Sequence, residues 1–414
     1  MSFNPFNEKP KKIDNLFMSF EKMSPKPYDK NEVDPYTRVR CILMNGTEFE
    51  AVWCKHHFNR HFDDNDARRD VAFLRRSEQQ QQKLISSLKP IDENLLETTI
   101  GYEQLAVDLT AYMGERATDK NTKNALDFAL LEDFDHLYRY ANMLETDMGV
   151  HAEHYVGDYT EIMPGRPTIS HHRHPFDTVR YHITNSSADL ITKLDTMIIT
   201  AAEQQTMNYY MNLGSFYRTQ KGREIYTEIA MVEEDHVTHY GSLLDPNTTL
   251  FESLLMHEYT ECYLYYSMYL DEVDKNIKKI WEMLLSQEII HLNIAKNLLE
   301  KYEKKSYLDV IPLPDFPDTI KFKNNKEYIR KVIEKTVNWT TIKENYIDYT
   351  KLDDNADFFK YQNNVITNPE KERGHTVILE HIDKFDKDYR LCDKEHPIKD
   401  LRNRTTDNIC VGRC

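Results

Sequence analysis

The sequence predicts a mainly α-helical protein, a bundle of three repeated helical hairpins preceded by a small mixed segment. Glycine is scarce, at 11 of 414 residues, and apolar residues recur at helical spacing over long stretches of the chain. The hairpins also look like copies of one unit. Each has an acid on its first helix and an acid-x-x-His motif 30 residues later on its second helix. Scarce glycine, helical spacing and an internal repeat together define the predicted fold class.

Residues 1–90 are expected to form the mixed segment. In "VRCILMNGTEFEAVW" the pair Asn45-Gly46 separates two β-prone runs, which predicts a two-residue β-hairpin turn. The later stretch "RRSEQQQQKLISSL" is typical of a helix. We therefore expect a β-hairpin and then a helix before the bundle begins.

The predicted bundle occupies the middle of the chain. The first hairpin, 91–146, is a degenerate copy, and residues 187–304 hold the second and third hairpins as a four-helix dimetal core. Between them, 147–186 is an irregular connection rich in histidine, above all in "SHHRHPF". We interpret it as a solvated polar loop, with a lid or a supporting role for the ligands as the alternative. Residues 305–414 are expected to be an irregular extension with one firm helix, in "KEYIRKVIEKTV".

Two helices carry an acid and an imidazole where core residues are expected. The members of each pair are three residues apart, so they share one helix face with the apolar residues. Burying several carboxylates together is unfavourable unless cations neutralise them. The sequence therefore predicts a buried site for two metal ions, built from the two pairs and the acid 30 residues before each. The predicted ligands are Glu203, Glu233, His236, Glu258, Glu288 and His291. Four glutamates and two histidines suit iron or manganese.

A rival site would combine the first and second hairpins. A shift of 100 residues superposes the acidic and histidine positions of the first hairpin on those of the second. The first-hairpin candidates are Glu103, Asp133 and His136. The long connection after the first hairpin would allow this pairing, but we prefer the second and third hairpins because aspartate reaches less far than glutamate. For either set, the alternative without metal is a core of paired, hydrogen-bonded polar residues.

These motifs resemble the ferritin-like superfamily, in particular the rubrerythrin-type di-iron carboxylate proteins. The resemblance covers residues 187–304 well and 91–146 as a weaker copy. It implies two iron ions, or manganese and iron, in a four-helix bundle. It also implies terminal ligation by Glu203 and Glu258, bridging by Glu233 and Glu288, and one metal each for His236 and His291. Glu261, one turn after Glu258, matches an additional glutamate of rubrerythrins, with an exposed helix carboxylate as the alternative.

The resemblance implies a dimetal oxidoreductase that reacts with dioxygen or peroxide. Rubrerythrins usually carry a rubredoxin domain, but none of the six cysteines forms a C-x-x-C pair. Either a separate protein would donate the electrons, or the site would oxidise iron instead of reducing peroxide. Two alternatives stay open. One is a di-iron oxygenase or hydroxylase that acts on a small organic substrate, and the other is a metal-free helical scaffold for partner binding.

The composition disfavours several other classes of protein. A net charge of −16 opposes nonspecific binding to nucleic acid or anionic lipid. The sequence lacks the long apolar run of a membrane span, and its N-terminus lacks the basic-then-apolar pattern of a secretory signal. We expect a cytoplasmic protein without nucleic-acid or membrane partners, and a homodimer is common for bundles of this kind.

Overall fold

The computed structural model describes residues 3–13, 16–390 and 394–408, and these residues are mainly helical, as predicted. Cys392, Cys410 and Cys414 lie outside the described residues. The described helices, in chain order, are α1 (Pro35–His61), α2 (Asn65–Ser86), α3 (Leu95–Arg116), α4 (Lys120–Met148), α5 (Glu153–Val156), α6 (Leu190–Leu213), α7 (Gln220–Gly241), α8 (Leu250–Asp271), α9 (Lys275–Glu303), α10 (Tyr307–Val310), α11 (Lys326–Thr336), α12 (Asp357–Val365) and α13 (Arg373–Phe385). Strands β1 (Trp339–Ile342) and β2 (Asn345–Asp348) pair antiparallel, with Trp339 opposite Asp348. No helix in the described part of the chain is both long and apolar enough to cross a membrane.

The chain divides into two compact units. The first unit consists of Met1–Glu93, Thr184–Gln205 and Asp245–Phe322, and the second of Asn94–Ile183, Thr206–Leu244 and Lys323–Cys414. The residues of the predicted four-helix core, 187–304, are divided between these two units. The second hairpin ends in α7, which belongs to the second unit, whereas α8 and α9 of the third hairpin belong to the first. The physical reason is that α8 and α9 have another hairpin, α1 and α2, to pack against.

Two helical hairpins lie in the first unit, together with the start of α6. α1 packs against α2 and α8 against α9, and the hairpins meet where α1 lies beside α8 and α2 beside α9. The sequence marks the helix starts. Asp34 caps α1 just before Pro35, Thr249 and Glu252 form a capping box at α8, and the Asp274 side chain accepts hydrogen bonds from the first amides of α9.

The predicted β-hairpin at Asn45-Gly46 is wrong, because both residues lie inside α1. Gly46 is buried there, and a Cβ at this position would lie 2.6 Å from Nε2 of Gln205. That nitrogen donates a hydrogen bond of 2.9 Å to the carbonyl of Ile42. The glycine therefore permits a close side-chain approach to a helix instead of a tight turn. Packing of the β-prone residues into a helical core overrides their local preference.

The second unit is organised around α4. α3 and α7 pack against α4, α13 lies against both α4 and α7, and α11 contacts α3 and α4. The extension after residue 322 is thus more ordered than predicted: α11 matches the predicted helix, and β1, β2, α12 and α13 follow it. A Glu-x-x-His motif in this extension, formed by Glu372 and His375, lies at the start of a helix. Glu372 accepts hydrogen bonds from the amides of Gly374 and His375, at 2.8 and 2.6 Å, as the cap of α13.

The connection between α4 and α6 is not the solvated loop that we predicted, because residues 160–173 are all buried. We call these residues the strap. The amide of Arg166 donates to the carbonyl of Leu131 on α4, at 3.1 Å, and a Cβ on the preceding Gly165 would lie 2.5 Å from the same oxygen. Only a glycine lets the strap approach the α4 backbone this closely. Outside the strap, His151 and His154 are exposed, as expected of a polar loop.

Candidate metal centres

Five side chains from three helices come together inside the second unit. We call this group, Glu103 of α3, Asp133 and His136 of α4, and Glu233 and His236 of α7, the second-unit cluster. All five are fully buried, with no exposed surface. Each acid-x-x-His pair lies on one face of its helix, since residues three apart are neighbours there. The cluster is therefore a product of helical spacing in α4 and α7.

Glu233 lies between the two histidines of this cluster. Its Oε1 is 3.0 Å from Nδ1 of His136, and its Oε2 is 3.4 Å from Nδ1 of His236. Asp133 Oδ1 is 3.2 Å from Nδ1 of His236 and 4.0 Å from Nδ1 of His136. Glu103 Oε2 is also 4.0 Å from Nδ1 of His136. The Nδ1 atoms of both histidines therefore face the carboxylates of Asp133 and Glu233.

Hydrogen bonds within the described part of the chain do not satisfy these groups. None of the four carboxylate oxygens of Asp133 and Glu233 makes one, and neither does a ring nitrogen of His136. The ion-pair partners of the two acids there are His136 and His236. Buried polar atoms without hydrogen bonds are costly, and a bound cation would satisfy them. Carboxylate oxygens with imidazole nitrogens form a donor set that fits iron or manganese.

The histidines also determine the charge at the centre of the cluster. Burial alone would raise the pKa of Glu233, but His136 and His236 outweigh it and lower the pKa to about 2. Burial raises the pKa of Asp133 in spite of His236, which acts in the opposite direction. The central carboxylate is therefore ionised at neutral pH, as a metal ligand has to be.

Glu132 supports His236 from the side opposite the cluster. Its Oε2 is 2.9 Å from Nε2 of His236, and its Oε1 is 3.1 Å from Arg166 and 2.9 Å from Arg173, both of the strap. Burial would raise the pKa of Glu132, but Arg173, His236 and Arg166 hold it well below its usual range. An ionised Glu132 must accept the proton of Nε2, which leaves the lone pair of Nδ1 facing the cluster.

The strap also covers His136. The ring of His171 lies 5.2 Å from the ring of His136 at an angle of 67°, and its Nε2 donates to the carbonyl of Arg166 at 2.9 Å. Burial lowers the pKa of His171 well below its usual value, so the ring is neutral. A neutral ring excludes water from this side of the cluster without adding a charge.

α6 contributes a tyrosine to the second unit. The hydroxyl of Tyr210 donates to Oε1 of Glu103, and its ring lies 5.6 Å from the ring of Tyr140. Glu203 lies about two turns before Tyr210 on the same helix, in the part that belongs to the first unit, and its side chain is buried. Its role as a metal ligand stays a prediction.

A second group of acids lies inside the first unit. We call this group the first-unit cluster. It consists of Glu48 and Lys55 on α1, Glu78 and Gln81 on α2, Glu258 and Glu261 on α8, and Glu288 and His291 on α9. All of these side chains are fully buried. The burial confirms that the predicted acids and His291 face the core, including Glu261, whose alternative was an exposed position.

Lys55 occupies one position in the first-unit cluster. Its Nζ pairs with Glu78 and lies 2.9 Å from Oε1 of Glu258. Nδ1 of His291 lies near the same two acids, 3.9 Å from Glu78 and 3.8 Å from Glu258, and 3.0 Å from Glu288. Burial would lower the pKa of Lys55, but Glu258 and Glu78 raise it well above its usual value. A permanent ammonium ion thus lies among carboxylates that could otherwise hold a metal.

The remaining acids of this cluster crowd one another. Oxygens of Glu258, Glu261 and Glu288 lie within 4.8 Å of one another. Burial and the charge of Glu288 raise the pKa of Glu261 to about 7, against the effect of His257. Burial and the charge of Glu258 raise the pKa of Glu288 to about 8, although Gln81 donates to this carboxylate at 2.6 Å. This part of the cluster is therefore short of positive charge.

The six ligands of the preferred site are divided between the units: Glu233 and His236 lie in the second, and Glu203, Glu258, Glu288 and His291 in the first. Glu233 and His236 join Glu103, Asp133 and His136, as the rival pairing predicted. Glu258, Glu288 and His291 gather instead with the acids of α1 and α2. Although aspartate is shorter than glutamate, Oδ1 of Asp133 lies 3.2 Å from Nδ1 of His236.

The hairpin of α1 and α2, which packs against α8 and α9 in the first unit, was not predicted from the sequence. Glu48 and Glu78 are 30 residues apart, the spacing of the other three hairpins, and this signal is visible in the sequence. It was obscured because Gln81 stands where the other hairpins have histidine, and because α1 resembles a β-hairpin. Glu132 and the strap arginines were also missed, since no spacing distinguishes them from other charged residues.

Comparisons of the chain with protein-family models, with curated proteins and with solved structures found no match. The function is therefore inferred from the chemistry of the two clusters.

Proposed function

We propose that the second-unit cluster is a ferritin-like dimetal centre and that the protein is a di-iron, or manganese–iron, oxidoreductase that reacts with dioxygen or peroxide. One observation carries this proposal. The two oxygens of Glu233 face nitrogens of two histidines on different helices, and none of these contacts has the geometry of a hydrogen bond. A carboxylate in this position is suited to bridge two cations, each of which also binds one histidine.

The proposed ligands divide by position. Glu233 would bridge, His136 and His236 would each bind one metal, and Asp133 and Glu103 would complete the set. Glu203, the terminal ligand implied by the family resemblance, is a further candidate. Bound iron would supply the electrons that reduce dioxygen or peroxide.

The chain itself prepares the site for this chemistry. Glu132 holds the proton of His236 on Nε2, so that Nδ1 is free to bind a metal. Arg166 and Arg173 keep Glu132 ionised. Tyr210 fixes the orientation of the Glu103 carboxylate by its hydrogen bond. A separate protein would return electrons to the centre after each reaction.

Metal content tests the proposal directly. The full chain is loaded anaerobically with ferrous iron, freed of excess metal by gel filtration, and analysed by elemental mass spectrometry. We expect Glu233→Gln and His136→Ala to lose about two metal ions per chain relative to the unmodified protein. Glu234→Gln is the matched control, since this neighbour of Glu233 on α7 is exposed, and it should keep both.

Oxygen consumption then tests the reaction. On addition of ferrous iron, the unmodified protein and Glu234→Gln should consume dioxygen faster than buffer, and Glu233→Gln should not. Glu203→Gln, measured in parallel, tests whether this residue is a ligand. If Glu233→Gln and His136→Ala hold as much iron as the unmodified protein, the proposal of a dimetal centre in the second-unit cluster is wrong.

A further inference from the structure

The first-unit cluster has more buried negative charge than its cations balance. It holds five fully buried glutamates. Against them stand the ammonium group of Lys55, which pairs with Glu78 and Glu258, and the imidazole of His257, 3.6 Å from Glu261 and 3.2 Å from Glu50. Excess charge in a protein interior is strongly unfavourable unless protons or metal ions neutralise it. The fold therefore needs a further cation, or several bound protons, at this place.

The two possible cation positions in this cluster are not equivalent. The position between Glu78, Glu258 and His291 contains the ammonium group of Lys55. The position between Glu258, Glu261 and Glu288 is bordered by oxygens within 4.8 Å of one another.

Glu261 gives the independent sign of a ligand at the second position. It is fully buried, and neither of its oxygens makes a hydrogen bond within the described residues. The nearest nitrogen of its neighbour His257 is 3.6 Å away, too far for a hydrogen bond. A buried carboxylate that makes no hydrogen bond and lies beside two other carboxylates is placed as a metal ligand would be.

We propose that the first unit binds one divalent cation at Glu258, Glu261 and Glu288, and that Lys55 permanently takes the place of a second cation. The ligands are all carboxylates, so the site suits a hard ion such as Mn²⁺, Mg²⁺ or Fe²⁺. Glu48, a further buried acid of this cluster, accepts a hydrogen bond from Tyr265. One cation beside a fixed ammonium cannot act as a metal pair, so this site has a structural role. The proposal does not depend on the function proposed for the second unit.

The experiment uses the full chain with the second-unit cluster disabled by His136→Ala and Glu233→Gln, so that only the first unit is measured. Mn²⁺ is the probe, and equilibrium dialysis with electron paramagnetic resonance counts the bound ions. We expect about one Mn²⁺ per chain, with the signal of an isolated ion. Adding Glu261→Gln should weaken binding at least tenfold. Adding Glu282→Gln, an exposed acid on the same helix as Glu288, should leave it unchanged.

Lys55→Met is the distinctive variant, because it removes a cation while keeping a linear side chain. If Lys55 takes the place of a metal ion, the disabled chain with Lys55→Met should bind about two Mn²⁺ with an exchange-coupled signal. A purely structural lysine would give no such gain. Thermal melting without metal provides a second readout that does not rely on Lys55. Glu261→Gln should melt higher than its parent, since it relieves excess charge, and Mn²⁺ should no longer raise its melting temperature.

Two outcomes would overturn the proposal. One is the absence of Mn²⁺ binding in the disabled chain, which would mean that protons alone neutralise the cluster. The other is a Lys55→Met variant that folds and still binds a single ion. Neither outcome bears on the second unit, whose loss of iron in Glu233→Gln is measured separately.

Discussion

Glu132→Gln tests whether Glu132 prepares His236 for metal binding, and it leaves all the proposed metal ligands in place. The change keeps the size of the side chain and removes the charge that pairs with Arg166 and Arg173. Both guanidinium groups are fully buried, and leaving a buried charge without its partner costs about 3–5 kcal/mol. We therefore expect the free energy of unfolding of the metal-free second unit to fall by about that amount.

The same substitution should weaken metal binding. His236 loses an ionised acceptor for its Nε2 proton, and loss of such a partner typically lowers metal affinity by about 10–100-fold. Stability is measured by urea unfolding followed by circular dichroism, and affinity by competition between the protein and a chelator for Mn²⁺.

Asp135→Asn is the matched control for this prediction. Asp135 lies on the same helix and pairs with buried Arg139 at 3.0 Å, but does not contact His236. It should lose comparable stability and keep its metal affinity within about twofold. A stability loss below about 1 kcal/mol in Glu132→Gln, or an affinity equal to that of Asp135→Asn, would refute the reasoning.

Three further predictions concern the second unit. Gly165→Ala should destabilise this unit by about 3 kcal/mol and weaken metal binding, because the new Cβ would lie 2.5 Å from the Leu131 carbonyl oxygen and displace the strap from α4. A loss of stability below about 1 kcal/mol in urea unfolding would contradict this prediction. Burial and the Glu372 carboxylate raise the pKa of Glu228 to about 10, so the folded protein holds a proton that the unfolded chain releases above its ordinary value of about 4.3. Stability should therefore fall as pH rises between these values. Glu228→Gln should make the melting temperature depend less on pH between pH 5 and pH 9. The same pH dependence in the variant and in the unmodified protein would contradict this prediction. Tyr140→Phe removes a buried hydroxyl without a hydrogen bond in the described chain, so stability should stay equal or rise by about 1 kcal/mol, whereas a clear loss would reveal an unseen partner.

Helical periodicity was a good guide wherever long side-chain patterns repeat. It predicted the helical class and the burial of Glu233, His236, Glu288 and His291, because an inward-facing stripe is a local property of a helix. It failed at Asn45-Gly46, where a contact with Gln205 decides the conformation. Such a contact joins residues far apart in the chain, and no local pattern contains it.

The pairing of hairpins lay beyond local patterns for the same reason. In the first unit, α8 and α9 pack against α1 and α2, which are far away in the sequence. Glu48 and Glu78 carried the repeat spacing without its histidine, so the repeat alone did not reveal them. The burial of the strap could not be predicted for another reason. Its arginines are buried because they pair with Glu132, whereas a composition rich in charged residues is typical of an exposed segment.

The order of the hairpins along the chain has a consequence during synthesis. α1 and α2 leave the ribosome first, but their acids and Lys55 find Glu258 and His291 only when α8 and α9 have been translated. At about 5–20 residues per second, the wait is on the order of ten seconds. During that time the charged face of the nascent α1–α2 hairpin is in contact with water. The hairpins that contain Asp133 and Glu233 are synthesised during the same interval.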